Sequence, residues 1–354
     1  MRWTRGCPPP HVTGLDSPTL KRTEARSVMA DVPKKIATRA AYGKALVKLG
    51  EMNPDVVVLD ADLAKSTKTD EFAARFPERF FDMGIAEADM MGTAAGFAAS
   101  GKIPFASTFA VFAAGRAFDQ VRQVIGYPGL NVKIGATHGG ITVGEDGASH
   151  QSVEDVALMR AIPGMTVVVP ADAVETEKAV FAAARHKGPV YIRLGRSGVP
   201  VVFGEDYEFE IGKAALLRDG SDATIIACGV MVSFALEAAS RLAESKGLSV
   251  RVLNMATVKP ADAEAVVAAA RETGAIVTAE EHSVIGGLGS AVCEITAERF
   301  PVPVERVGVK DVFGQSGTSE ELLKAYGLLP ENIVEATLKA IERKRSAPRA
   351  AACG

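Results

Sequence analysis

Along most of the chain, short runs of β-branched and aliphatic residues alternate with longer stretches whose apolar positions recur at helical spacing. Residues 38–52 have the helical period, and Val56-Val57-Val58-Leu59 is a continuous apolar run of the kind a strand buried on both faces requires. The same alternation predicts strands at 80–83, 103–107, 131–136, 166–169 and 190–194, with helices at 88–100, at 112–125 and from Ser152 onward. A second series follows, with strands at 223–227, 250–254 and 275–278 and helices at 232–245, 261–273 and 290–299. Strand and helix in regular succession predict an α/β fold of mainly parallel sheets covered by helices. Gly and Pro around 197–204, then a charged stretch, break the pattern. They predict two domains, 35–200 and a smaller 212–342, joined by a linker at 201–211. Residues 1–34, with Pro8-Pro9-Pro10 and several Arg, read as a disordered leader or a mis-assigned start ahead of Met29, and 343–354 as a disordered tail.

With 354 residues, 47% of them hydrophobic, each domain can bury a core of its own. Lys and Arg number 40 against 43 Asp and Glu, for a net charge of -3. No global basic field invites nucleic acid or an anionic membrane, so an anionic ligand needs a local cluster. No run approaches the roughly 20 apolar residues that cross a bilayer. Cys7, Cys228, Cys293 and Cys353 are widely scattered, which argues against a zinc site or a disulfide framework and for a reducing, cytoplasmic setting.

Chemistry-bearing residues gather at the predicted carboxyl ends of strands, where open α/β sheets bind their ligands. Asp60-Ala61-Asp62-Leu63-Ala64-Lys65-Ser66 follows the first of them. Glu87 stands where the strand at 80–83 gives way to a helix carrying Gly92, Ala94, Ala95, Gly96, Ala98 and Ala99. An acid at a helix start suits the helix dipole. Set near Ile85, Met90, Met91, Phe109 and Phe112, the same acid is also placed to be desolvated, which suits it to proton exchange. The small-residue helix either packs tightly inside the fold or forms an oligomer interface. The segment from Gly139 to His150 is too Gly-rich for regular structure and too polar for core, and reads as a functional loop. His138, Asp146 and His150, with no Cys nearby and no i, i+4 spacing, suit hydrogen bonding to a polyol or a phosphate better than zinc. Arg196 is either a surface charge or a phosphate clamp acting through its planar fork. Gly286-Gly287-Leu288-Gly289 lacks the P-loop ending and the Rossmann spacing, which favours a tight turn opening a helix over a phosphate site.

Met83-Gly84-Ile85-Ala86-Glu87, Ser107-Thr108-Phe109, Thr137-His138 and Gly144-Glu145-Asp146-Gly147-Ala148-Ser149-His150-Gln151 together resemble the pyrimidine-binding domain of transketolase. Pro163-Gly164-Met165 and Pro170-Ala171-Asp172 continue the likeness, and most of the second domain resembles the transketolase C-terminal domain. The resemblance runs from about residue 35 to 340. It implies thiamine diphosphate as cofactor, which carries the carbon–carbon chemistry. Glu87 matches the glutamate that hydrogen-bonds N1′ of the thiamine pyrimidine and promotes its imino form. Phe109 and Phe112 match two aromatics packed against that ring, while Gly115 stands where the family often has a third, a Tyr. Asp62 matches an acid near the cofactor at a dimer interface. Arg39, Ser66, His138 and Arg196 match the set that holds a sugar phosphate. Asp146 and His150 match groups on the substrate hydroxyls, so Glu87 and His150 are the catalytic candidates.

The Gly-Asp-Gly motif with a later Asn, through which the family binds Mg²⁺ and the diphosphate, is missing here. The resemblance therefore implies the carboxyl-terminal subunit of a split transketolase in an α2β2-type assembly. An amino-terminal subunit would supply the Mg²⁺ and diphosphate half, and the chain alone would be inactive. The implied reaction moves a two-carbon ketol unit from a ketose phosphate to an aldose phosphate. Three alternatives are the β subunit of a 2-oxoacid dehydrogenase, a synthase condensing pyruvate with glyceraldehyde phosphate, and a non-catalytic scaffold. The polyol-type loop around His138 and Asp146 argues against the first. The synthase is normally one fused chain, and retention of Glu87 with both loop histidines argues against a scaffold.

Overall fold

The structure, a computed structural model, describes residues 35–346. Val56–Asp60 is buried at every position because it lies inside a sheet, hydrogen-bonded in parallel to Ile103–Phe109 on one side and Phe80–Asp82 on the other. Its side chains alternate between two helical layers, as strand geometry demands. Val57 and Leu59 join Met90, Met91 and Ile134 on one face, and Val56 and Val58 join Tyr42, Leu46 and Phe72 on the other. Helices Thr38–Met52 and Ala173–Arg185 cover the second face, and Glu87–Ala99 covers the first.

Among the described residues this sheet has seven strands in the order Thr257–Lys259, Thr166–Val168, Val190–Arg193, Lys133–Thr137, Ile103–Phe109, Val56–Asp60, Phe80–Asp82. All pairings in it are parallel except the first. The second sheet has five strands, in the order Val304–Val309, Ile276–Ser283, Ala223–Ala227, Val250–Asn254 and an antiparallel edge, Ala215–Arg218. Two layered sheets, mainly parallel, are the fold class that the sequence pattern predicts. A short antiparallel ribbon of Lys35–Ala37 with Gly198–Pro200 stands apart from both.

Three expectations are corrected. The edge strand Thr257–Lys259 follows the second domain's Val250–Asn254 in sequence but pairs with Thr166–Val168 of the first sheet, so the second half of the chain completes the first sheet. The predicted helix at 112–125 is broken into wide turns at Phe112–Arg116 and Val121–Gly126 around a short α-turn. In the first of these the Ala117 amide donates to the Phe112 carbonyl, five residues back, with Gly115 weakening the α-ladder between them. The disordered tail expected from Arg343 is displaced, because helix Pro330–Ser346 carries Arg343 onto Glu305 at 2.6 Å and Lys344 onto the Thr273 carbonyl at 2.6 Å. The stretch read as a linker, 201–211, is held against the first domain at its start. Asp172 accepts from the amides of Val202 and Phe203, and the Phe203 and Tyr207 rings stack at 3.9 Å. The expected leader and the rest of the tail lie outside the described residues. Among the described residues no helix is long and apolar enough to cross a membrane.

Candidate active site

Parallel pairing brings the carboxyl ends of four adjacent strands to one edge, and on them lie Arg196, His138, Phe109 and Asp62. His138 and Asp62 both have left-handed backbones, at φ 57° and 60°, which turns each sharply off its strand. The His138 ring stacks on Phe109 at 3.8 Å, Phe109 stacks on Phe112 at 5.8 Å, and His150 meets both phenyl rings edge-on. Four flat rings from three segments thus make one wall.

A basic edge adjoins the wall. Arg39 donates through Nη1 to the Ser66 carbonyl at 2.8 Å and to His138 Nε2 at 3.3 Å. An arginine has no acceptor, so His138 Nε2 accepts and its proton rests on Nδ1, which donates to Thr137 Oγ1 at 2.9 Å. Burial first, then Arg39, Arg196 and His150, hold His138 down to about 3, so its ring is neutral across the physiological range. Arg196 donates through Nη1 to the Val143 carbonyl and, at 3.3 Å, to Glu145, with Asp146 at 3.9 Å. Asp62 is exposed at the lip, its amide donating to Asp82 at 3.1 Å, and no described contact ties its carboxylate to the rings.

Glu87 begins its helix and is 2% exposed. Its Oε1 accepts from Arg116 Nη1 at 2.8 Å, and its Oε2 is buried with no hydrogen-bond partner among the described residues. Arg116 also lies over the Phe112 ring, 4.3 Å from its centroid, so it links the acid to the aromatic wall. The small-residue face of that helix is open. A Cβ built on Gly92 or Gly96 meets nothing within 4 Å, and the nearby Ile85 is 76% exposed. Internal packing does not account for those two glycines.

The loop from Gly139 to Gln151 is less polar in place than its composition predicts, with Ile141, Thr142 and Val143 buried in a 3₁₀ turn. The second domain holds it. Glu281 accepts from the Thr142 amide at 2.7 Å, Ser319 donates to the Thr142 carbonyl at 2.9 Å, and Gln151 Nε2 donates to the carbonyls of Ile141, Gly144 and Gln315. Gly140, at φ 87°, has to be glycine because a Cβ would stand 2.3 Å from the Glu281 carboxylate. Beneath the wall, Asp60 accepts from the Leu63 amide and the Thr67 and Thr69 hydroxyls and so shapes the loop that carries Ser66, while burial raises its carboxyl to about 6.

Sequence reasoning missed Arg116, Asp60 and Gln151 as site residues. Arg116 had a usable signal, since Phe112 and Arg116 are four apart and share a helix face. Gln151 acts through backbone carbonyls, and Asp60 through the Leu63 amide and two threonine hydroxyls of the loop it shapes, and neither pattern leaves such a mark. The glycine run at 286–289 is settled as a turn: the Leu288 and Gly289 amides both donate to the buried Glu280 at 2.7 Å, which fills that helix end. Among the described residues no three His, Cys, Asp or Glu side chains gather as a metal ion requires.

Residues 34–201 match the family described as transketolase, pyrimidine binding domain, and residues 212–333 the family described as transketolase, C-terminal domain. A protein named as a transketolase C-terminal section in Methanocaldococcus jannaschii is 48% identical over 309 residues, 86% of this chain and 96% of its own length. A 6-deoxy-6-sulfo-D-fructose transketolase subunit of Clostridium sp. strain MSTE9 is 47% identical, over 86% of this chain and 95% of that one. Among solved structures, a split gene transketolase described as an inactive β4 tetramer is 61% identical, covering 88% of this chain and 100% of that one, with a TM-score of 0.83.

Proposed function

Because the chain belongs to the transketolase family, as a section joining the pyrimidine-binding domain to the C-terminal domain, we propose that it is the carboxyl-terminal subunit of a two-subunit transketolase. Its reaction moves a two-carbon ketol unit from a ketose phosphate to an aldose phosphate. The observation that carries this reading is the buried Glu87, whose Oε2 has no hydrogen-bond partner among the described residues, beside the ring wall of Phe109, Phe112, His138 and His150. A buried carboxylate oxygen without a donor costs stability, and an aminopyrimidine, which carries ring-nitrogen and amino groups on a flat apolar ring, has the chemistry to meet Oε2 beside these aromatic rings. Thiamine diphosphate, when bound, supplies the nucleophilic carbon that accepts the ketol unit.

The chain's own residues then divide the work. Glu87 holds a proton at the pyrimidine N1′, and Phe109 and Phe112 seat the ring, with Asp62 at the lip. Arg39, Ser66, His138 and Arg196 hold the sugar phosphate, and neutral His138 reaches a ligand oxygen by exchanging its contact with Arg39 or with Thr137. Asp146 and His150 orient the hydroxyls, and His150 moves a proton at the substrate. Mg²⁺ and the diphosphate fall mainly to an amino-terminal partner subunit, and the open glycine face beside Ile85 is offered to neighbouring subunits in an α2β2 assembly. A relative described as an inactive β4 tetramer supports both self-association and inactivity of this half alone.

The test mixes the chain with an amino-terminal subunit, thiamine diphosphate and Mg²⁺. Transfer from xylulose 5-phosphate to ribose 5-phosphate is expected from the mixture and not from the chain alone. Turnover of 2-oxoacids instead would select the dehydrogenase reading. Transfer confined to a sulfonated or other modified sugar would keep the reaction class and change the substrate. Glu87→Ala should abolish turnover without disturbing assembly, and near-normal activity would remove Glu87 from the mechanism.

A further inference from the structure

The guanidinium of Arg116 already touches both groups assigned above to the pyrimidine ring. Nη1 meets Glu87 Oε1 at 2.8 Å, and the group lies over Phe112 at 4.3 Å. A guanidinium is planar and cationic, donates from its edge and stacks through its face. A protonated aminopyrimidine seated against the same acid and the same phenyl would use the same properties. The face of Phe112 cannot carry both, and a guanidinium that stayed would compete with the ring nitrogen for the charge of the acid.

The surroundings make the arginine, and not the acid, the group that can leave. The Arg116 side chain is 52% exposed against 1% for Glu87, so the arginine already borders solvent and the acid does not. Arg116 ends the wide turn Phe112–Arg116, whereas Glu87 is fixed in the first turn of a regular helix.

We propose that Arg116 is an internal stand-in for the pyrimidine, which aligns and balances Glu87 before the cofactor arrives and is displaced when it binds. The proposal rests on the reading that Glu87 and Phe112 receive the ring. It has two linked consequences. Cofactor-free, the subunit gains stability from the Arg116–Glu87 pair. On binding, that pair is given up, so the cofactor binds more weakly than the bare seat would allow. The same free energy is read twice, with opposite sign.

The experiment measures thiamine diphosphate affinity by calorimetry in the assembly of both subunits with Mg²⁺, for wild type, Arg116→Ala and Arg116→Lys. Arg116→Ala should bind about threefold to fivefold tighter, the range of a half-exposed ion pair, and Arg116→Lys, which keeps the charge without the flat face, should fall between. Cofactor-free Arg116→Ala should melt below wild type, and the deficit should vanish at saturating cofactor. Weaker or unchanged binding by Arg116→Ala would overturn the stand-in and make Arg116 a stationary counter-ion or a bystander. A deficit persisting at saturation would do the same. Failure of the wild-type assembly to bind thiamine diphosphate at all would instead remove the functional reading beneath it.

Discussion

Glu175 is fully buried at the seam of the molecule and joins three parts of the chain. Its Oε1 accepts from Tyr207 of the bridge at 2.8 Å and from Asn254 of the second sheet at 2.6 Å, and its Oε2 accepts from the Ala171 amide at 2.7 Å. Burial raises its carboxyl from the ordinary 4.5 to about 7 despite those donors. Between those values the folded chain binds more protons than the unfolded one, so stability falls as pH rises through the interval and the loss is complete above pH 7. At about 1.4 kcal/mol per pH unit, the fall is about 3 kcal/mol. Glu175→Gln cannot titrate. It keeps an oxygen for Tyr207 and Asn254 but turns an amide donor onto the Ala171 N–H, at a cost of about 1–3 kcal/mol. Urea unfolding of both proteins at pH 5, 6, 7 and 8 tests this. The stability of wild type relative to Glu175→Gln should decline by about 2–3 kcal/mol from pH 5 to pH 7 and then level off. A difference constant across that range would refute the idea that burial of this carboxyl controls the seam.

Other outcomes follow from the same contacts. Arg193→Met strips Asp155, which is fully buried, of its guanidinium at 2.9 Å and leaves it the Tyr191 hydroxyl, so unfolding should become easier by about 3–5 kcal/mol; a loss below about 1 kcal/mol in denaturant titration would show that the pair is not structural. Arg196→Ala should raise the Michaelis constant for phosphorylated sugars far more than for hydroxypyruvate, and equal effects would count against a phosphate clamp. Glu145→Gln, which frees Arg196 from a competing carboxylate at 3.3 Å, should shift that constant in the opposite direction.

The fold class was legible because its signals are local. Val56-Val57-Val58-Leu59 announces a strand buried on both faces, and residues 38–52 repeat at helical spacing regardless of what they pack against. Thr257–Lys259 was not legible, since a three-residue edge strand has no period and its partner at Thr166–Val168 lies some 90 positions earlier. The same limit applies at the site. Glu87 and Phe109 were visible in short motifs, but the Arg116–Glu87 pair spans 29 positions and the loop's anchors on Glu281, Gln315 and Ser319 span 139 to 177. The wide turn at Phe112–Arg116 was hidden for a different reason: inserting one residue into a helical turn changes where side chains point without changing their polarity pattern.

The edge strand Thr257–Lys259 also bears on how this molecule could be engineered. A chain cut at the bridge, in the hope of a free-standing pyrimidine-binding half, would strip the first sheet of that strand and leave Thr166–Val168 as an open edge of unpaired amides and carbonyls, a template for aggregation. The two halves are therefore not modules to be exchanged between relatives at the sequence boundary. A workable graft has to carry Thr257–Lys259 with the first sheet, or redesign its edge.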